Sequence, residues 1–130
     1  MSEETQMTIL VVDDDPVVCN VAAISLELAG FHVLTANSGA DAVSRWLSRR
    51  DQIDLLVTDM RMPWIDGPLL ARCLAKDEPD FAVLFISGEH DTSQMGEFKN
   101  SGFLGKPFSP STLVTEVNRL LKRNSAHSAS

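Results

Sequence analysis

Positive charge is scarce in this 130-residue chain: 11 Lys and Arg stand against 18 Asp and Glu, for a formal net charge of −7. Only Arg49-Arg50 and Lys122-Arg123 place two cations side by side. Binding along DNA or on an anionic membrane needs clustered cations, so neither class of partner is expected. There are two cysteines, Cys19 and Cys73, and no CxxC spacing. Both fall within apolar helical patterns and are read as reduced core thiols of a cytoplasmic protein rather than a disulfide or redox pair. No apolar run approaches the ~18 residues of a membrane span, and Met1 to Met7 is polar and acidic, so neither export nor anchoring is predicted. There is no GxxxxGK and no Gly-rich dinucleotide loop, which excludes a nucleotide held by those devices. No internal repeat is present.

What is there reads as one globular domain. Hydrophobic residues make up 44% and charged residues 22% of the chain, and the length supports a single core. Apolar runs alternate with helical patterns. Thr8–Val12 is apolar throughout, as a strand buried on both faces should be. Pro16 suits the first turn of a helix, with Val17, Val18, Val21, Ala22, Ile24 and Leu28 as its apolar residues and Gly30 at its end. A second strand is predicted over Phe31–Ala36 and a second helix from Ser38 or Gly39 to Arg50. A third strand runs Ile53–Thr58 and a third helix Pro68–Lys76. The fourth strand covers Phe81–Ile86, a weak fourth helix falls inside Asp91–Asn100, and a short fifth strand is Phe103-Leu104. Ser109-Pro110 starts a fifth helix. Five βα units imply an α/β fold, a doubly wound five-stranded parallel sheet with helices on both faces. The boundaries expected are a tail over 1–7, one domain over 8–123, and a polar tail over 124–130.

Polar residues gather where these strands end. Asp13, Asp14 and Asp15 follow the first strand, Asp59 the third, Ser87 the fourth, and Lys106 the fifth. In a parallel sheet all of these ends lie on one edge, where open α/β folds bind ligands. Carboxylates that close together need a cation, and hard oxygen ligands favour Mg²⁺, which commonly serves a phosphoryl group. Lys106 adds a second cation, Ser87 a hydroxyl. A carboxylate can itself be the phosphoryl acceptor, and Asp59, a lone acid opposite the cluster, is the best placed. Asp15 before Pro16 is read as a helix N-cap, Asp54 and Asp66 as turn residues, and His32, His90 and His127 as exposed. Met60, Met62 and Trp64 divide between loop packing and a partner surface.

The segments ILVVDDDP, LLVTDMRMPWIDG, LFISG and FLGKPF, in this order, resemble the receiver domain of two-component response regulators over residues 8 to 122. The resemblance implies the flavodoxin-like (βα)5 receiver fold with strand order 2-1-3-4-5. It implies Asp59 as phosphoacceptor, and Mg²⁺ held by Asp14, Asp59 and the Arg61 backbone carbonyl, with Asp13 direct or through a water. Lys106 and Ser87 would bind the phosphoryl group, Ser87 and Phe103 would form the switch, and Arg61 and Glu89 would tune the phosphoryl lifetime. The implied partners are a sensor histidine kinase or phosphotransfer protein, a downstream protein target, and a second copy through the face of the fourth helix, fifth strand and fifth helix. Two departures stand out. Trp64 occupies a position where the family usually has Gly, and the stretch from Ser87 to Lys106 is about one turn short, predicting a short or irregular fourth helix. Two alternatives differ in class. In a haloacid-dehalogenase-like phosphatase, Asp13 would be the nucleophile and Asp15 the general acid; a receiver-like module could also bind its partner without phosphorylation.

Overall fold

The structure is a computed structural model that describes residues 6–49, 52–76, 78, 80–88 and 98–129, with side chains as far as residue 122. Its sheet is built from β1 (Thr8–Val12), β2 (His32–Ala36), β3 (Leu55–Asp59), β4 (Ala82–Ser87) and β5 (Ser101–Gly105). All neighbours are parallel and the order is β2-β1-β3-β4-β5. The described helices are α1 (Pro16–Leu28), α2 (Gly39–Arg49), α3 (Gly67–Leu74) and α4 (Pro110–Ala129). Helix α4 is thus the fifth helix of the sequence reading. The fourth falls largely on residues 89–97, outside the described residues, as does Glu89.

Period-two alternation divides the core into two layers, because successive strand residues point to opposite faces. Ile9, Val11, Leu55, Val57, Leu84 and Ile86 pack with Cys19, Ala22 and Leu26 of α1 and Leu113, Val117 and Leu120 of α4. Leu10, Val12, Leu56, Val83 and Phe85 face the other way, against Ala42 and Trp46 of α2 and Leu70, Ala71 and Leu74 of α3. Trp46 meets Phe81 edge to face at 5.1 Å. Strands β1, β3 and β4 are buried at every residue, which explains their unbroken apolar runs. Full burial of each large aliphatic side chain contributes about 1.5–3 kcal/mol.

Four details depart from the sequence reading. Helix α1 buries Cys19, Ala22, Ala23 and Leu26, whereas Val17, Val21, Ile24 and Leu28 are exposed; the helix is apolar nearly all round, so its pattern does not select a face. Cys73 is exposed because α3 buries Gly67, Pro68, Leu70, Ala71 and Leu74, and position 73 falls off that stripe. Strand β5 extends over Ser101–Gly105 rather than two residues. Beyond Asn124, where a polar tail is expected, α4 continues through Ala129. Cys19 is buried as expected, and its thiol pKa is raised by burial and by the charge of Asp13.

Candidate functional site

The two central strands deliver the acids. Val12 of β1 pairs with Thr58 of β3, so Asp13 and Asp59 emerge side by side at the carboxyl edge. Asp59 pairs with Ile86 of β4, and Ser87, the next residue, pairs with Gly105 at the end of β5. Lys106 follows at once, its backbone N–H donating to the Ser87 carbonyl at 2.8 Å. Strand order therefore places β1 and β3 centrally, with one polar residue from each of four strands on the same edge. That edge includes the point where the chain order reverses, the usual ligand crevice of such sheets.

Asp13 is 1% and Asp59 6% exposed, yet a single side chain, Lys106, spans both. Its Nζ lies 3.1 Å from Asp13 Oδ2 and 3.5 Å from Asp59 Oδ1. Asp13 Oδ1 accepts the Asp15 N–H at 2.9 Å, and Asp59 Oδ1 lies 3.5 Å from the Arg61 N–H. Asp13 Oδ2 is within ion-pair range of Lys106, but receives no hydrogen bond of good geometry. One cation facing two buried carboxylates leaves a charge deficit. Burial first, and then the charge of Asp13, push the Asp59 carboxyl from 3.8 up to about 6, against the opposing pull of Lys106. Burial works to lower the Lys106 pKa, but the close approach of the Asp13 carboxylate and the negative charges of Asp13 and Asp59 outweigh this and raise it.

A divalent cation fits this site. Asp13, Asp14 and Asp59 each offer one carboxylate oxygen, and these oxygens all lie within 4.8 Å of one another. The donors are all hard oxygens, and the buried Asp13 Oδ2 has a lone pair that the protein does not satisfy with a hydrogen bond. Asp14 is exposed and completes the cluster from the solvent side.

The loop after β3 is pinned from both sides. Met60 and Met62 are buried, 7% and 8% exposed, which assigns both to packing. The Gly67 N–H donates to the Met60 carbonyl at 3.0 Å, and the Gly67 Cα lies so close to the Asp59 backbone carbonyl that a Cβ there would collide with it. Asp66 caps α3 by accepting the Leu69 N–H, as Asp15 caps α1 by accepting the Val17 N–H, both at 2.9 Å. Asp54 accepts the Thr8 N–H at 2.8 Å, outside the site. His32 is exposed, as expected. Ser87 is buried and lines, with Met60, Arg61, Met62, Pro63, Asp66 and Pro68, a cleft of about 430 Å³ beside the acids. Phe103 is half-buried, one register step before Leu104 and opposite Phe85. The backbone feature that the sequence did not reveal is at Trp64, which has a φ of 71°; the usual Gly at this family position was its only trace.

The sequence profile of the response regulator receiver domain matches residues 9–118. The chain belongs to the response regulator receiver domain family. Among curated relatives, this receiver is 34% identical over 119 residues to the sensor kinase CckA of Brucella abortus (strain 2308), covering 89% of the chain and 13% of CckA. It is 31% identical over 118 residues to the response regulator SaeR of Staphylococcus aureus (strain USA300), covering 88% of the chain and 50% of SaeR. The chain therefore spans half or less of the length of these relatives. A solved response regulator receiver protein from Sinorhizobium medicae WSM419 superposes with a TM-score of 0.84 at 31% identity, covering 94% of this chain and 99% of that one. The chain is a receiver domain of two-component signalling, with the five-stranded 2-1-3-4-5 sheet of that family. The phosphatase alternative is not favoured: Asp15, its required general acid, is committed to capping α1. Among the described residues, no helix is long and apolar enough to cross a membrane.

Proposed function

We propose that Asp59 is the phosphoacceptor and that this receiver takes its phosphoryl group from the phosphohistidine of a sensor kinase or phosphotransfer protein. The observation that carries this reading is the Lys106 ammonium shared between two buried carboxylates at 3.1 and 3.5 Å. An Asp59 carboxylate oxygen attacks phosphorus and the P–N bond to the imidazole breaks, its electron pair staying on nitrogen, so that an imidazole already protonated on its other nitrogen leaves neutral as the aspartyl phosphate forms. Asp13, Asp14, Asp59 and the Arg61 carbonyl would hold Mg²⁺, which when bound supplies neutralisation of the phosphoryl charge. Lys106 neutralises a further phosphoryl oxygen, and the Ser87 hydroxyl, at the end of β4, donates to another. The chemistry is self-catalysed acceptance and loss of the group on the protein's own side chain, rather than turnover of a separate substrate.

Phosphorylation then biases a two-state equilibrium. Ser87 moves toward the new charge, Phe103 packs inward, and the face of β5 and α4 changes its affinity for a downstream protein or a second copy. Phe103 has no hydroxyl, so its contribution is packing alone. Arg61, two residues after Asp59 in the sequence, and Glu89, two residues after Ser87, set the phosphoryl lifetime. The setting is cytoplasmic, with no nucleic acid or membrane among its direct partners.

The test is incubation with Mg²⁺ and acetyl phosphate, read by intact mass. Wild type gains one phosphoryl group and Asp59→Asn gains none. Equal labelling of Asp59→Asn would refute the assignment, and continuous phosphate release dependent on Asp13 would revive the phosphatase alternative.

A further inference from the structure

The β3–α3 loop is anchored on both sides of Trp64, at Met60 and Met62 before it and at Ile65 and Asp66 after it, while Trp64 itself is 98% exposed. Met60 and Met62 are buried, Ile65 is half-buried and reaches the Cα of Gly39 at the start of α2, and Asp66 is the α3 cap. The Ile65 N–H donates to the Pro63 carbonyl at 2.8 Å across Trp64, whose φ is 71°. That is a γ-turn with positive φ, a rare and strained conformation for a residue that carries a Cβ. A loop this well anchored is not loose, so the indole is held outward against both its hydrophobicity and its backbone preference. Strain maintained at such a position belongs to function more often than to folding. Its location agrees, because Pro63, its covalent neighbour, lines the cleft that runs to Ser87 beside Asp59.

We propose that Trp64 is a docking and specificity determinant for the protein phosphodonor; this rests on the reading of Asp59 as acceptor. A macromolecule that brings a phosphohistidine to Asp59 must cover the rim of this cleft, and the indole is the large apolar side chain that rises from it. Aromatic anchors of this kind dominate interface energetics, and Trp is enriched among them. A small donor such as acetyl phosphate enters the cleft without covering the rim and makes no such contact. Trp64 is therefore a positioning residue: it touches the donor protein and not the reacting atoms.

The histidine kinases of the source organism, purified and autophosphorylated, provide the probe, and the kinase that transfers fastest to the wild-type chain is carried forward. Trp64→Gly should lower the second-order transfer rate constant from that kinase by about tenfold or more, the scale of a central aromatic anchor. The loss should appear in half-saturation rather than in the maximal rate, Trp64→Phe should recover much of it, and the rate with acetyl phosphate should be unchanged. The thermal midpoint of Trp64→Gly should rise, because Gly accepts positive φ without strain, which separates lost docking from lost folding. Equal transfer to wild type and Trp64→Gly would overturn the assignment, as would a parallel loss with acetyl phosphate. Absence of transfer from every kinase, with acetyl phosphate still labelling Asp59, would overturn it too while leaving the acceptor reading intact. Failure of labelling from both sources would instead refute the acceptor reading on which it rests.

Discussion

Asp59 carries its charge where burial and Asp13 both oppose it, which is why its carboxyl titrates near about 6 instead of 3.8. A carboxyl raised in the folded state binds more protons folded than unfolded between those two values. Stability of the Mg²⁺-free protein therefore falls as pH rises through that window, and the penalty is complete above it. Asp59→Asn removes the penalty while leaving Lys106 paired with Asp13. It should stabilise the Mg²⁺-free protein at pH 7 by on the order of 1–3 kcal/mol and flatten this part of the pH dependence. Urea denaturation in EDTA across pH 4 to 7 measures both; a variant no more stable than wild type would show that the burial and repulsion at Asp59 are already relieved. The gathering of individual residues at one site was legible where a polar residue follows a strand end, as at Asp13, Asp59, Ser87 and Lys106. Trp64 was not, because a positive φ is normally signalled by Gly or Asn, and here neither stands at the turn.

The elements differ in how plainly they were written. Strands β1 and β3 were legible because burial on both faces demands an unbroken apolar run, and the acid that follows marks where the sheet meets solvent. Strand β5 was read too short: Ser101, Gly102 and Gly105 have little intrinsic strand preference, and Gly102 is tolerated because the chain there passes close under Leu84 and the Arg119 side chain of α4. Helix α1 showed where it starts, through Asp15 and Pro16, but not which side it buries. Cys73 was misplaced for the related reason that α3 is only 8 residues long, too short for its period to be decisive. The β3–α3 junction carries the clearest structural dependence. Gly67→Ala would drive a Cβ into the Asp59 carbonyl, costing about 1–3 kcal/mol as overpacking. Because the displaced group belongs to the acceptor residue, the rate of labelling by acetyl phosphate should fall as well. Wild-type stability together with a wild-type rate would show that the loop yields without moving Asp59.

The whole molecule combines an excess of negative charge with the cluster of Asp13, Asp14 and Asp59 at one edge of the sheet. Binding of a divalent cation to the folded state alone must stabilise that state by mass action. With Mg²⁺ about tenfold above its dissociation constant the gain is about 1.4 kcal/mol, visible as a higher thermal midpoint. Asp14→Ala should fold normally, since Asp14 is exposed, and should lose most of that gain together with phosphorylation. An equal Mg²⁺-dependent rise in Asp14→Ala would remove Asp14 from the ligand set.

Strands β1, β3 and β4 alternate between two apolar layers and then, with β5, hand polar residues to a common edge. The alternation behaves as a reading frame. A residue inserted after Leu55 within β3 would exchange the layers faced by Leu56 and Val57 and at the same time turn Asp59 away from Asp13 and Lys106. Errors that spoil the site would thus also spoil the packing and be removed as unfolded chains, so the interior proofreads the chemistry at its rim. Loops at the opposite edge of the sheet lie outside this frame, and length changes there should be tolerated most readily.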